Sequence, residues 1–378
     1  MWGWSFLLLL GVFAWQARKA GLPRALGAVV ILSLLVPTWA VLGYQLKRSE
    51  LLFFGMPIDM RLAFSFIGIS VCCLRPKTIL PTRIVAADWA VLAIVAAHVI
   101  SDLQNDGLSV VPPLRAFGEW MIPYLAGRIA LRNMDDAREL LPFAVTVCLV
   151  LAAVAVIESL ARINLAELAY GARPVEGSSR DAARWGLKRA FGPAMHPIYF
   201  GTLQLLLMPW AIYAASRAAR GRGPVWWYVV PAASAIGIFF SLSRGPILAV
   251  PIVLYIFALI GIPRWRPVLS ATGVIATVLL AFQYATVLDL LQVWSGEAQQ
   301  VRKAKITVND EEVQYTGTLN RVYLLQVYGR ALKQAGLFGY GTERVTGFPI
   351  RVPVGPEEAK TLKFVRFIDN EYVLLILR

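Results

Sequence analysis

The chain has 378 residues, of which 58% are hydrophobic and 16% charged, and a formal net charge of +14. Soluble domains carry about 25% charged residues, and here the apolar residues run in near-uncharged blocks of roughly 15 to 22, the length that a bilayer-spanning helix needs. A soluble enzyme and a disordered chain are both excluded. The composition reads as an all-α, polytopic transmembrane bundle.

In chain order, the apolar blocks predict spans at 2–16, 25–44, 60–74, 86–100, 113–131, 140–158, 197–215, 225–242, 246–262 and 267–286. A further span is expected to begin near 367, where Phe367–Leu377 offers about half the residues a crossing requires. Met1–Gln16 has no basic segment ahead of its apolar run, so it reads as an uncleaved first span rather than a signal peptide. The segment 60–74 is short enough to be re-entrant. These breaks divide the chain into N-terminal helices (1–158), an outside segment (159–196), a second helical group (197–286), a large outside loop (287–366) and the start of another helix (367–378).

Five short connectors carry the charge: Arg18/Lys19/Arg24, Arg75/Lys77/Arg83, Arg128/Arg132/Arg138, Arg217/Arg220/Arg222 and Arg264/Arg266. All fall on one side if the spans alternate, whereas the connector 101–112 carries Asp102 and Asp106 and no basic residue. The positive-inside rule then places the five basic loops in the cytoplasm. Trp39, Trp210, Trp226, Trp227 and Trp294 sit near span ends, as an interfacial aromatic belt does. Nucleic acid is not an expected partner, because the positive charge is used in orienting spans. Cys72, Cys73 and Cys148 lie in apolar blocks and form no CxxC pair; with only His98 and His196, no metal site is expected. The sequence has no GxxxxGK[ST], HExxH or GxSxG motif, which removes most of the case for ATP-driven transport or zinc hydrolysis.

Charges at the outer edge of the membrane are costly and are therefore candidates for function. Arg244 lies in the hairpin Ser241–Pro246 between two spans, where it either snorkels or grips a phosphate with its fork. Arg189 opens a Pro- and Gly-rich approach to the span at 197, and His196 there is a base, a hydrogen-bond donor to a sugar or an interface residue. Arg321 belongs to an amphipathic stretch, 319–334, of the long loop, which carries eleven basic residues between Arg302 and Arg366. Asp369 stands at the mouth of the last helix as an N-cap or as a proton acceptor. Arg115 and Glu119, spaced i,i+4 near the outer end of a span, are either functional charges or a self-neutralising pair; Asp88, His98 and Glu158 read as interfacial.

Taken together, Arg189-x-x-Gly-Pro-x-x-His-Pro197, Ser241-x-Ser-Arg-Gly245, Thr318-Leu-Asn-Arg321, Gly339-Tyr-Gly341 and Asp369-Asn-x-Tyr372 resemble the O-antigen ligase and O-antigen polymerase family, most clearly over 185–378. The resemblance implies a metal-independent, cofactor-free glycosyltransferase of the bacterial inner membrane, acting at its periplasmic face. It implies a glycan donor linked to undecaprenyl diphosphate, a saccharide acceptor and a possible chain-length regulator. Arg189, Arg244 and Arg321 would bind the diphosphate, and Asp369 or His196 would act as the base. Ligases carry a His-Asn pair where this chain has Asp369-Asn370, a departure that favours polymerisation of O-antigen or exopolysaccharide repeats over ligation to lipid A core. A transporter of lipid-linked saccharide and a membrane sensor are the competing readings.

Overall fold

The computed structural model describes residues 3–37, 39, 40, 60–73, 83–106, 111–171, 183–283, 286, 287, 290, 305–308 and 311–314. The described chain is largely helical. Its helices are α1 (Gly3–Ala20), α2 (Leu22–Ser33), α3 (Met60–Cys73), α4 (Ala86–Asp106), α5 (Val111–Ala116), α6 (Ile122–Ala130), α7 (Met134–Ala161), α8 (Leu165–Tyr170), α9 (Pro197–Ala219), α10 (Val230–Phe240), α11 (Arg244–Gly261) and α12 (Arg266–Phe282). A π-helical turn, Phe117–Met121, joins α5 to α6, and single 3₁₀ turns precede α10 and α12. Two short antiparallel hairpins complete it: β1 (Ala183–Arg184) with β2 (Leu187–Lys188), and β3 (Lys305–Val308) with β4 (Glu311–Gln314).

Among the described residues, five helical stretches are long and apolar enough to cross a membrane: Ala86–Gln104, Met134–Ala161, Pro197–Ala219, Arg244–Gly261 and Pro263–Phe282. The ten blocks expected from 2–16 to 267–286 each fall on helix in their described residues, although in the block 25–44 the helix ends at Ser33 and 38 and 41–44 lie outside the described residues. A turn follows at 34–36, ahead of Pro37. The residue before a proline is pushed out of the α region, and twelve helical residues extend only about 18 Å. The stretch 319–334 and the segment from 367 lie outside the described residues.

The chain divides into two compact units, Met1–Val85 with Met121–Arg266, and Ala86–Trp120 with Pro267–Arg378. In the second, α4 packs on α5, and the His98 ring meets the edge of Trp120 at 5.7 Å. The first unit carries the candidate site. Its centre is α7, packed against α2, α9 and α10. Leu141, Val145, Cys148, Leu151 and Ala155 of α7 meet Phe200, Leu207, Ala211 and Ala214 of α9 and Val230 of α10. Lipid tails are as apolar as leucine, so helices in a bilayer gain by close packing across small residues rather than by escape from water. The alanines of this interface follow that rule. So does Gly201, where an added Cβ would stand 2.7 Å from Ser241 Oγ and 2.9 Å from Pro246.

The two ends of the first unit differ in chemistry. At one end, Asn133 caps α7 by accepting the N–H groups of Asp135 and Asp136, both at 2.9 Å, and the two aspartates suit the positive end of the helix dipole. Fully buried Asp136 accepts Arg24 Nε at 3.0 Å and the Arg132 N–H at 3.2 Å. Arg24 also pairs with Glu139 at 2.6 Å, Arg138 pairs with Asp135, and Arg128 donates to the Arg83 carbonyl at 2.9 Å. Basic residues of three of the five expected connectors thus gather at one end. At the other end, the start of α1 meets the end of α8 through a 2.9 Å bond between Ser5 Oγ and Tyr170 Oη.

Candidate anion site

The site forms at the end of α7 opposite the basic connectors. Helix α7 stops at Arg162, which takes a left-handed φ of 57°. The chain returns through the hairpin β1–β2, whose two loop residues, Trp185 (φ 53°) and Gly186 (φ 75°), both have positive φ. That pair of signs marks a type I′ turn, the one that matches strand twist. Arg162 donates to the Gly186 carbonyl at 3.0 Å and Lys188 to the Arg162 carbonyl at 3.3 Å, while the Trp185 ring stacks near Phe239 at 6.1 Å. The hairpin is thereby held between α7 and the end of α10.

Two pins fix the strand that leaves it. The Ala190 N–H donates to the Phe240 carbonyl at 3.0 Å. One residue later, the Phe191 and Gly192 N–H groups both donate to Glu158 Oε2 at 2.9 Å. Glu158 Oε1 accepts the Leu165 N–H at 3.0 Å. Glu158 is 1% exposed: expected as an interfacial charge, it is a buried carboxylate bonded to three backbone donors.

The second strand of the site is the turn from α10 into α11. Its left-handed residue is Leu242, with φ 49°, whereas Gly245, which the sequence offers for the turn, lies in the first turn of α11 with Pro246. Ser241 Oγ donates to the Ile238 carbonyl at 2.7 Å, and Ser243 Oγ donates to the Ser241 carbonyl at 3.2 Å. The turn is buried from Ser241 to Ser243. Arg184 Nη1 donates to the Leu242 carbonyl at 2.9 Å, and Arg189 Nη2 donates to Ser243 Oγ at 3.0 Å.

Arg189, Arg184 and Arg244 therefore converge on one turn. Arg189 is 8% exposed and its Nε has no hydrogen-bond partner; among the described residues no carboxylate pairs with it. Burial, followed by the charges of Arg184 and Arg244, lowers its pKa from the ordinary guanidinium range to about 10. It still carries its charge at neutral pH. Buried guanidinium groups are ordinarily paired, and a planar fork with an unused N–H edge is the group that binds phosphate bidentately. Arg244 adds its charge at the amino end of α11, where the helix dipole also favours an anion.

His196 caps α9: its Nδ1 accepts the Ile198 N–H at 3.2 Å, and its ring packs edge-on to Phe191 and Tyr199. With Nδ1 accepting, the neutral ring carries its proton on Nε2. Arg321 and Asp369 lie outside the described residues, as does the Arg115 side chain. Of the sequence candidates, the structure thus brings together Arg189 and Arg244. It adds Arg184, placed by the β1–β2 hairpin, and Glu158, which stands in the last turn of α7 and meets the strand that leaves the hairpin; spacing gave no signal for either. Among the described residues, no group of three His, Cys, Asp or Glu side chains could hold a metal ion.

Residues 229–377 match the family model described as O-Antigen ligase. The match takes in α10, the turn 241–244 and Arg244, and continues over Arg321 and Asp369; Glu158, Arg184, Arg189 and His196 precede it. No curated protein and no solved structure matches the chain.

Proposed function

We propose that this chain, a member of the O-antigen ligase family by its residues 229–377, is a multi-pass glycosyltransferase of the bacterial inner membrane. It takes glycan from undecaprenyl diphosphate at the periplasmic face. The observation that carries this reading is Arg189: a buried guanidinium with an unpartnered Nε, held beside Arg184 and Arg244. Such a group needs an anion, and the diphosphate of a lipid-linked donor places one at the membrane edge.

In the proposed reaction an acceptor sugar hydroxyl attacks the anomeric carbon of the donor. The new C–O bond forms as the bond to the diphosphate oxygen breaks, and the electron pair leaves with the diphosphate. Arg189 and Arg244 stabilise the charge that develops there, a task that fixed cations perform best because they need no reorganisation. Arg321 is proposed as a further diphosphate ligand. The hydroxyl proton goes to a base. With His196 Nδ1 engaged in capping α9, Asp369 is the better candidate for that role, and His196 Nε2–H is left as a donor to the substrate. No step requires a metal.

The test is glycan length in cells carrying Arg189→Ala or Arg244→Ala. Long-chain glycan should disappear while the protein stays in the membrane at its normal level; an unchanged length distribution in both variants would sink the reading. The product separates polymerase from ligase. Single repeats accumulating on lipid indicate a lost polymerase, which Asp369-Asn370 favours. Long lipid-linked chains indicate a lost ligase, which the family description favours. A transporter of lipid-linked saccharide would instead leave the donor accumulating on the cytoplasmic side.

A further inference from the structure

Among the described residues the buried carboxylate of Glu158 forms no ion pair with the three arginines; its partners are the N–H groups of Leu165, Phe191 and Gly192. That choice is unusual on two counts. Glu158 lies in the last turn of α7, where the helix dipole disfavours an anion, and it is nearly inaccessible to solvent. Three backbone donors, two of them on one oxygen, offset this cost. What they fix is the segment carrying Arg189. From Arg189 the chain runs through Ala190, tied to Phe240 on α10, into Phe191 and Gly192, tied to Glu158 on α7. Gly192 has φ 51°, and Phe200 fills the space where a Cβ would stand. The backbone is thus held from both sides immediately after the arginine.

We infer that Glu158 is a positioning residue for the anion site: its carboxylate sets the 190–192 backbone so that the Arg189 guanidinium is presented beside Ser243 with its Nε edge unused. The inference rests on the anion-site reading above. It assigns Glu158 no contact with substrate and no proton transfer. An amide at this position keeps the volume and one acceptor oxygen. In either orientation, though, its NH₂ faces a backbone N–H, so the Leu165 bond or the Phe191/Gly192 pair is lost.

The experiment uses the full chain in detergent with inorganic pyrophosphate as the probe, reading the pyrophosphate concentration that gives half the maximal thermal stabilisation. Glu158→Gln should raise that concentration about tenfold, with the ligand-free melting temperature within a few degrees of the parent. Arg189→Lys should raise it as well. Because both act on one guanidinium, the double variant should be no weaker than the weaker single variant. A Glu158→Gln protein that binds like the parent overturns the inference. So does a double variant whose loss is the product of the two single losses. Ser159→Ala serves as the packing control: it removes a neighbouring buried side chain that makes no bond to the 190–192 segment, and it should leave binding unchanged. Should Glu158→Gln not fold, Glu158→Asp, which keeps the charge but withdraws the oxygens, must also weaken binding; full binding by it overturns positioning by reach. A parent protein that pyrophosphate does not stabilise removes the anion site itself, a failure distinct from that of Glu158.

Discussion

At Arg189 a full positive charge is kept where burial and two neighbouring guanidinium groups all oppose it, lowering its pKa to about 10. Because the folded-state value is the lower one, the folded chain holds the proton less tightly than the unfolded chain. The resulting cost to stability is fully present below about pH 10 and fades as the pH rises from there toward the ordinary guanidinium range. At neutral pH it is on the order of 3 kcal/mol at most. Removing the charge should therefore stabilise the fold while it destroys the site, the trade-off expected where function demands an unfavourable group. Arg189→Gln is expected to melt at or above the parent temperature in detergent and to lose long-chain glycan. A fall of several degrees would show instead that the guanidinium supports the fold through its Ser243 bond.

The elements around this residue were unequally legible before folding. Apolar runs mark the helices because a bilayer leaves the backbone no partner outside its own helix, and the blocks from 2–16 to 267–286 accordingly lie on helix. The turn between α10 and α11 was visible in Ser241–Pro246, but its left-handed residue was not, since Leu242 takes a conformation that Gly245 could adopt more cheaply. Glu158 and Arg184 were invisible for another reason. A lone charge near a span end reads as interfacial whether it faces lipid head groups or the protein. Only the two-residue turn Trp185–Gly186 brings Arg184 to the Leu242 carbonyl and Arg189 to Ser243. Gly192 tests how far this geometry is shared between elements. An added Cβ meets both the left-handed φ of 51° and the Phe200 ring, 2.8 Å away at Cδ2. Gly192→Ala should cost roughly 2–4 kcal/mol, combining overpacking with backbone strain. Adding Phe200→Leu should recover the packing part and leave about 1 kcal/mol, read from melting temperatures; complete recovery would show that the backbone there carries no strain.

Across the first compact unit, the anion site and the basic connectors stand at opposite ends of α7, a helix of 28 residues that rises about 42 Å at 1.5 Å per residue. That is longer than the roughly 30 Å hydrocarbon thickness, so the two ends lie in different aqueous compartments if α7 spans the bilayer. The Arg24–Asp136 and Arg128–Arg83 contacts group the basic residues at one end, the end that the positive-inside rule would assign to the cytoplasm. The Ser5–Tyr170 bond and the arginine cluster mark the other. Single cysteines introduced at exposed Leu168 and Gly245, near the arginine cluster, and at exposed Arg220, at the far end of α9, report on this directly. In a background with Cys72, Cys73 and Cys148 replaced, Leu168→Cys and Gly245→Cys should react with a membrane-impermeant maleimide once the outer membrane is made permeable. Arg220→Cys should react only after the inner membrane is opened. Labelling of Arg220→Cys in sealed cells, with protection of the other two, would turn the molecule over. The arginines would then face the cytoplasm, and their anion would have to be sought among cytoplasmic phosphates rather than on a periplasmic lipid-linked donor.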